Sequence, residues 1–176
     1  MTLNKLAHGQ IKFRPVEPED LDIIYRWEND PEIWQVSNTL VPFSRYILKQ
    51  YIAESHRDIF ETKQLRLIIE TMDQTPVGAI DLFDFEPFHR RAGIGILIHN
   101  KKDQSKGLAT DALHLMASYA TEVLGIHQLY ANITVDNKAS IHLFEKVGFK
   151  CAGDKKDWIR TSEGWIDEAL YQLILK

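Results

Sequence analysis

A strand that passes into a helix through a short polar loop is the feature that most constrains this chain. An apolar run rich in β-branched residues, AGIGILIHN, occupies positions 92–100. Beyond Gly107, apolar residues recur at helical spacings: Leu108, Ala112, Leu115, Met116, Tyr119, Ala120 and Val123. The first turn of such a helix has backbone N–H groups without intrahelical partners and about half a positive charge. The pattern predicts an anion site, although an ordinary strand-to-helix loop would also fit.

The residues of the loop favour a phosphate group as the anion. Gly107 has no side chain to block its approach, and Lys102 and Lys106 add positive charge. A Walker loop requires GxxxxGK[ST], whereas here lysine precedes the single glycine. A Rossmann turn requires GxGxxG at the start of the helix, whereas Gly93 and Gly95 lie inside the predicted strand. Both of these nucleotide-binding loops are therefore excluded.

Two motifs in the expected order resemble the GNAT superfamily of N-acetyltransferases. The loop matches Q/R-x-x-G-x-G/A through Gln104, Gly107 and Ala109. VDNKASIHLFEKVGF, at 135–149, is similar to the family's N-x-x-[AS]-x-x-[LI]-Y-x-K-x-G-F helix. The segment RPVEPEDLDIIYRWENDP, at 14–31, resembles the opening of the branch that contains ribosomal-protein amino-terminal and spermidine/diamine acetyltransferases. The resemblance thus spans nearly the whole chain.

The resemblance implies an α+β fold in a single domain over residues 1–176. Its central mixed sheet would have six or seven mostly antiparallel strands, one parallel splayed pair, and about four helices on both faces. The strand-helix-strand order itself predicts that Ile94–His99 and His127–Val135 are parallel, with a right-handed crossover. Local patterns predict strands at 11–14, 65–70 and 77–85 and a closing hairpin of 151–160 and 165–175. They also predict a helix from 21, a loop through Pro42, and a second helix that is capped by Ser44 and runs to about Phe60.

Acetyl-CoA is the co-substrate that the resemblance implies. By analogy with the family, the predicted cofactor-binding residues are Gly95, Ile96, Leu97 and Ile98 along the pantetheine, Gln104, Ser105, Lys106, Gly107, Leu108, Ala109 and Thr110 around the diphosphate, and Asn137, Ser140, Phe144 and Lys146 of the second motif. His, Cys and Asp residues show no metal-ligand spacing, so no metal is predicted.

Phe144 is the main departure from the family, which usually has a tyrosine there as the proton donor to the leaving thiolate. A thiol with a pKa of about 8.5 leaves tolerably as its anion, whereas an alkylamine with a pKa of about 10.4 needs roughly 4.6 kcal/mol to lose its proton at pH 7. Provision of a base should therefore matter more, and loss of the tyrosine should cost on the order of 10² in rate. Ser140 is a substitute donor, unless it only makes a hydrogen bond at the helix start.

Carboxylates of the strand and hairpin that face the thioester in the family are the candidates for the base. Glu86 is the first choice and Asp84 the second, with Asp81 nearby. All three residues would also suit a solvated hairpin. Acidic residues of the first helical region give the predicted acceptor wall a negative character, or form a solvated face: Glu28, Asp30, Glu32, Glu54, Asp58 and Glu61.

Charge and composition exclude several functional classes. The net charge is −4 and Lys-Arg blocks do not exceed two residues, which argues against binding to nucleic acid. The chain has no 18-residue apolar run and no signal-peptide pattern, so we predict a cytoplasmic protein that does not bind a membrane. Cys151 is the single cysteine, which excludes an internal disulfide.

The sequence therefore predicts an acetyl-CoA-dependent N-acetyltransferase that acts on a primary amine, with a small amine such as a polyamine or diamine as the preferred acceptor. HRRA, at 89–92, resembles the spermidine acetyltransferases and supports this choice, although hairpin-edge charges would also explain it. The alternatives are acetylation of the α-amino terminus of a (ribosomal) protein, and a non-catalytic sensor that binds acyl-CoA. A homodimer is possible because family members often pair.

Overall fold

Eight strands form one sheet in the part of the chain that the computed structural model describes, residues 6–37 and 39–176. The strands are β1 (Ala7–His8), β2 (Ile11–Pro15), β3 (Leu65–Thr71), β4 (Pro76–Glu86), β5 (Arg91–Ile98), β6 (Gln128–Thr134), β7 (Lys150–Thr161) and β8 (Gly164–Ile174). Their order is β1-β2-β3-β4-β5-β6-β8-β7, and only β5 and β6 are parallel. The predicted α+β fold is confirmed. The strand count is higher than predicted because a turn at Gly9, with φ of +56°, folds the short β1 back onto β2.

Six α-helices lie among the described residues: α1 (Leu21–Glu28), α2 (Pro31–Ser37), α3 (Arg45–Glu54), α4 (Ile59–Thr62), α5 (Leu108–Glu122) and α6 (Lys138–Val147). The predicted loop after residue 30 was wrong because Pro31 begins α2, at a position where its missing N–H is not needed. The predicted helix to Phe60 was also wrong, because α3 ends at Glu54 and Asp58 caps a separate α4 through the Phe60 amide, 2.6 Å away. The predicted Ser44 cap of α3 is confirmed.

The helices cover the sheet from two sides. On one side, which we call the α5 face, side chains of α5 and α6 share a buried cluster with Ile80 and Leu82 of β4. On the other side, the α1 face, α1 and α3 pack through Trp27 and Leu48 against Ile68 and Ala79. None of the described helices combines the length and hydrophobicity that a membrane span requires.

The parallel pair opens into a gap that we call the seam. Strands β5 and β6 are in register only where residues 91–93 meet 128–130, and the last pair is Gly93 with Tyr130. From Ile94 to Ile98, β5 stays paired with β4 but has no strand partner on its β6 side within the described structure, where only the Ile98 carbonyl is known to be occupied, by the Gln104 side chain. Backbone groups along this stretch are therefore available to a ligand, since buried amides and carbonyls need hydrogen-bond partners.

A buried ion cluster joins β2 to the turn before α1. The Arg14 guanidinium donates to both carboxylate oxygens of Asp20, at 2.6 and 2.8 Å, and also to Glu70. Burial tends to raise the pKa of Asp20, but the hydrogen bonds from Arg14 and from the Glu17 backbone lower it below its ordinary value. Folding therefore favours the charged form of Asp20.

Stability should depend on this group at acidic pH. Because the folded-state pKa of Asp20 lies below the unfolded value of about 3.9, its contribution is complete above about pH 5 and is lost as pH falls through the unfolded value to the folded pKa. We expect Asp20→Asn to lower the free energy of unfolding at pH 7 and to reduce its further loss between pH 4 and 2.5, measured by urea denaturation. Asp22→Asn, at an exposed carboxylate paired with Arg45, is the control and should change neither quantity. Equal pH slopes for wild type and Asp20→Asn would contradict the prediction.

Candidate active site

The start of α5 is open to an anion. Gly107 is its N-cap residue, with φ of +85°, a left-handed conformation that favours glycine. No side chain caps the first turn, and a Cβ atom added at Gly107 would meet nothing within 4 Å. The space beside Gly107 is therefore unobstructed. Leu108 is buried in the core and Ala109 packs against it, so only their backbone groups can serve an anion.

Hydrogen bonds hold the loop before Gly107 in place. The Gln104 side-chain amide donates to the Ile98 carbonyl at 3.0 Å and so ties the loop to the end of β5. Lys106 forms an ion pair with Asp103 at 3.2 Å. Ser105 has a left-handed φ of +62°. Gln104 thus positions the loop. Near Gly107, Lys106 is exposed and Thr110 is half-buried.

The seam runs from this loop along β5. Its predicted pantetheine-binding residues, 95–98, form the stretch of β5 that β6 does not pair with. Gly95 lies on the α1 face, opposite Asp81 of β4, and a Cβ atom added there would be 3.8 Å from the Phe83 ring.

Helix α6 approaches the seam from the α5 face. Asn137 caps the helix by accepting a hydrogen bond from the Ser140 amide at 3.1 Å. Phe144 is 4% exposed and packs edge to face against Phe149, with ring centroids 4.9 Å apart. Lys146 points to solvent. Position 144 therefore offers no proton, and Ser140 is half-buried at the start of the helix.

Asp81 is held by an arginine that the sequence did not point to. The Arg66 guanidinium donates twice to Asp81, at 2.7 and 2.9 Å, and once to Glu28 of α1. Burial tends to lower the pKa of Arg66, but the two carboxylates raise it well above its ordinary value. Its charge is therefore permanent. Asp81 is a poor candidate for a base, because both of its carboxylate oxygens accept hydrogen bonds from the Arg66 guanidinium.

Asp84 and Glu86 lie at an irregularity in β4. The register between β4 and β5 shifts between Phe83 and Glu86, and Asp84 has a left-handed φ of +47°. Such a bulge redirects side chains. Asp84 is exposed and accepts a hydrogen bond from the Tyr130 hydroxyl at 3.4 Å, while Glu86 is half-buried and accepts one from the Phe88 amide at 3.3 Å.

Two aromatic rings form a floor next to these carboxylates. Phe83, Gly93 and Tyr130 are aligned across β4, β5 and β6. A Cβ atom at Gly93 would lie 2.2 Å from the Phe83 ring, so the ring occupies the space that glycine leaves. The Phe83 and Tyr130 rings meet edge to face at 6.1 Å.

The Tyr130 hydroxyl stays protonated at neutral pH. Burial raises its pKa, the charge of Asp84 and the hydrogen bond to it raise it further, and Arg91 lowers it. Sequence reasoning missed Tyr130. The signal was present in HQLYANITV, where apolar Leu129 and Ala131 alternate with it, but its partner could not be found without the bulge.

The acidic residues of the first helical region are compensated locally. Glu28 pairs with Arg66, Asp30 with His99 at 3.0 Å, and Glu32 with Lys101 at 2.8 Å. Glu54 and Glu61 pair with Arg57, and Asp58 caps α4. The negative character expected of this wall is thus weaker than the residue count indicates. In the described part of the chain, no three His, Cys, Asp or Glu residues are grouped to hold a metal ion, and the expectation of no metal stays a prediction.

The sequence and the fold are both similar to those of known proteins. Residues 10–150 match the family model described as "Acetyltransferase (GNAT) domain". Spermidine N(1)-acetyltransferase of Escherichia coli (strain K12) is 30% identical over 148 residues, which cover 84% of this chain and 76% of that protein. The crystal structure of spermidine N-acetyltransferase from Vibrio cholerae in complex with CoA and spermine superposes with a TM-score of 0.85 at 22% identity, covering 94% of this chain and 96% of that one. A dodecameric structure of the Vibrio cholerae enzyme in an intermediate state superposes with a TM-score of 0.77 at 21% identity, covering 94% of each chain.

Proposed function

Because the chain belongs to the GNAT acetyltransferase family, and is therefore an acetyl-CoA-dependent N-acetyltransferase, we propose that its acceptor is a small polyamine or diamine. The open carboxylates Asp84 and Glu86, next to the aromatic floor of Phe83 and Tyr130, carry this proposal. Carboxylates bind ammonium groups, and aromatic faces attract cations. A polyamine presents several such groups at once. The similarity to spermidine N(1)-acetyltransferase supports the same acceptor class.

The residues around the seam fit the co-substrate. We propose that the amides that follow Gly107 bind the diphosphate, where uncapped N–H groups and the helix dipole favour an anion. The unpaired edge of β5, residues 95–98, would pair with the pantetheine amides as another strand does. Acetyl-CoA supplies the activated acetyl group when bound. The seam leads from Gly107 to Gly93, where the two strands meet and the aromatic floor begins, so the acetyl group would reach the carboxylates.

We propose Glu86 as the group that removes the first proton from the acceptor ammonium, directly or through water. An alkylammonium with a pKa of about 10.4 needs this help, whereas an α-amine with a pKa of about 7.7–8.0 needs far less. Glu86→Gln should therefore lower kcat/KM for spermidine on the order of 10²-fold or more, and for an N-terminal peptide much less. Steady-state rates over pH 6–10 with spermidine, putrescine and an amino-terminal peptide provide the measurement.

The control for this experiment is Glu19→Gln, at an exposed carboxylate in the turn before α1. It should leave all rates unchanged. Faster turnover of the peptide than of both polyamines would contradict the proposed acceptor and favour α-amino acetylation. Binding of acetyl-CoA without turnover of any amine would favour the acyl-CoA sensor.

We also propose that two copies associate through the C-terminal hairpin. Strand β7 is one of the two edge strands of the sheet, and Trp158 and Trp165 on this hairpin are 56% and 60% exposed. Exposed aromatic side chains on an open sheet edge are typical of interfaces. Sedimentation velocity of wild type and of Trp165→Ser tests this, and a monomeric wild type would contradict it. The cytoplasmic location and the single domain over residues 1–176 stay predictions.

A further inference from the structure

We propose that Tyr130 and Asp84 form a proton relay that returns a proton to the leaving sulfur, a task that the phenylalanine at position 144 cannot perform. The inference rests on the proposed transfer of an acetyl group to an amine. It assigns a role to two residues that meet only because β4 bulges where β5 and β6 come together.

The location of Tyr130 is the first support. It is paired with Gly93, the last residue of β5 that β6 contacts before the seam opens. Its neighbours Leu129 and Ala131 are buried in the cluster of the α5 face, so alternation along the strand places the Tyr130 side chain on the α1 face. The hydroxyl thus lies at the closed end of the seam, on the side where Asp84 and Glu86 offer carboxylates.

The geometry of the pair is the second support. Tyr130 donates its single hydroxyl proton to Asp84 Oδ2 at 3.4 Å, and the Phe83 ring braces the phenol edge to face. The bulge turns Asp84 toward β6 through a left-handed backbone conformation, which aspartate tolerates better than most residues.

The other candidates for the proton donor are less suited. Phe144 has no proton to give and lies in the core. Asp81 is held by the Arg66 guanidinium. The Ser140 amide is engaged with Asn137 at the start of α6, and a serine hydroxyl is a weaker acid than a phenol.

Charge explains how the relay releases its proton. Burial raises the pKa of the Tyr130 hydroxyl most, the Asp84 carboxylate raises it further, and Arg91 of β5 lowers it. Gln128 and Gln172, on the same face, are neutral and hydrogen-bonded to each other. Once Asp84 takes a proton, its charge no longer holds the tyrosine proton in place, and Arg91 still favours the phenolate. Protonation of Asp84 therefore makes Tyr130 a better donor.

The protons balance over one turnover. The acceptor enters as an ammonium ion and gives one proton to solvent through Glu86. The amine nitrogen then forms a bond to the acetyl carbon while the carbon–sulfur bond breaks. The nitrogen gives its second proton to Asp84, the sulfur takes the Tyr130 hydroxyl proton, and Tyr130 regains a proton from Asp84. Over the turnover two protons leave nitrogen, one to solvent and one that is replaced on sulfur through the relay, and Glu86, Asp84 and Tyr130 are all restored.

Single and double variants test the relay. We expect Tyr130→Phe and Asp84→Asn each to lower kcat for spermidine on the order of 10²-fold, with little change in the KM for acetyl-CoA. The double variant should be within about threefold of the weaker single variant, because members of one unit are not additive. Tyr119→Phe, at a tyrosine of α5 whose pKa is raised by burial alone, is the control and should keep wild-type rates.

A titration of the ligand-free protein supplies a readout that does not depend on turnover. With ¹³Cζ-labelled tyrosine, Tyr130→Phe identifies the Tyr130 resonance, and Asp84→Asn should shift its titration to lower pH, because the negative charge is removed. The relay is overturned if the double variant loses kcat by the product of the two single losses. It is also overturned if the titration of Tyr130 is unchanged in Asp84→Asn. A wrong acceptor has a different signature: wild-type turnover of polyamines is absent, while the titration still shifts. In that case the same variants are assayed on whichever amine the wild type acetylates.

Discussion

Gly107→Val should weaken acetyl-CoA binding on the order of 10²-fold, equivalent to roughly 2.7 kcal/mol. Two physical effects act together. A β-branched residue is a strong outlier at a φ of +85°, so the loop shifts away from the conformation that presents its amides. The side chain would also project into the space that is empty around Gly107, where we place the diphosphate. Isothermal titration calorimetry with acetyl-CoA measures the loss, and the stabilisation of the protein by acetyl-CoA in thermal melts should shrink in parallel.

Gly125→Val is the matched control for this prediction. Gly125 has a φ of +65°, and an added Cβ atom would meet nothing within 4 Å, so the backbone penalty is similar. It follows the opposite end of α5, away from the proposed diphosphate site. The control should lose thermal stability but keep the affinity for acetyl-CoA. Equal losses of affinity in both variants, or none at Gly107→Val, would show that the diphosphate binds elsewhere.

Arg66→Met should produce the largest loss of stability, about 3 kcal/mol in the free energy of unfolding. The Arg66 side chain is 22% exposed and neutralises two half-buried carboxylates, Asp81 and Glu28. Methionine keeps much of the packing volume but leaves both negative charges without a counterion. For a chain of this size, the loss corresponds to a decrease of roughly 10 °C in the melting temperature. Urea denaturation and calorimetry measure these quantities.

Two further variants identify the cause of that loss. Arg57→Met removes an arginine that also contacts two carboxylates, Glu54 and Glu61, but on an exposed surface, and should change the urea midpoint little. Asp81→Asn introduced into Arg66→Met should restore part of the stability, because one uncompensated charge disappears. If the double variant is no more stable than Arg66→Met, lost packing and not charge is the cause.

Periodic patterns of apolar residues were sufficient to predict much of the fold from the sequence. Strand alternation and helical spacing placed β3, β4, β5 and α5, because burial of one face imposes a period on the sequence. Helix α2 was missed because Asp30 and Pro31 are signals of a helix end as well as of a helix start. The loop at Gly107 was predicted because a local run of residues marks the passage from β5 to α5, and its role in binding stays a prediction.

Side-chain contacts between strands could not be predicted from the sequence. Arg66 faces Asp81 only through the register of β3 and β4, which includes a shift between Ile69 and Glu70. Tyr130 meets Asp84 only because of the second irregularity in β4 and the order of the strands. The acidic wall was overestimated for the same reason, since Arg66, His99 and Lys101, which contact its carboxylates, come from distant segments of the chain. Residue types indicated the chemistry, but pairing decides which groups remain available.

The seam has a consequence for the lifetime of the protein in the cell. Interior strands are ordinarily the last part of a domain to open, but here an interior strand has one edge without a strand partner beyond Gly93, where we propose that acetyl-CoA binds. A metabolite that occupies this edge stabilises the folded state by mass action, and proteases act on opened chains. When the metabolite is scarce, the enzyme would open more often and be degraded faster, so its abundance would follow the supply of the compound that it consumes.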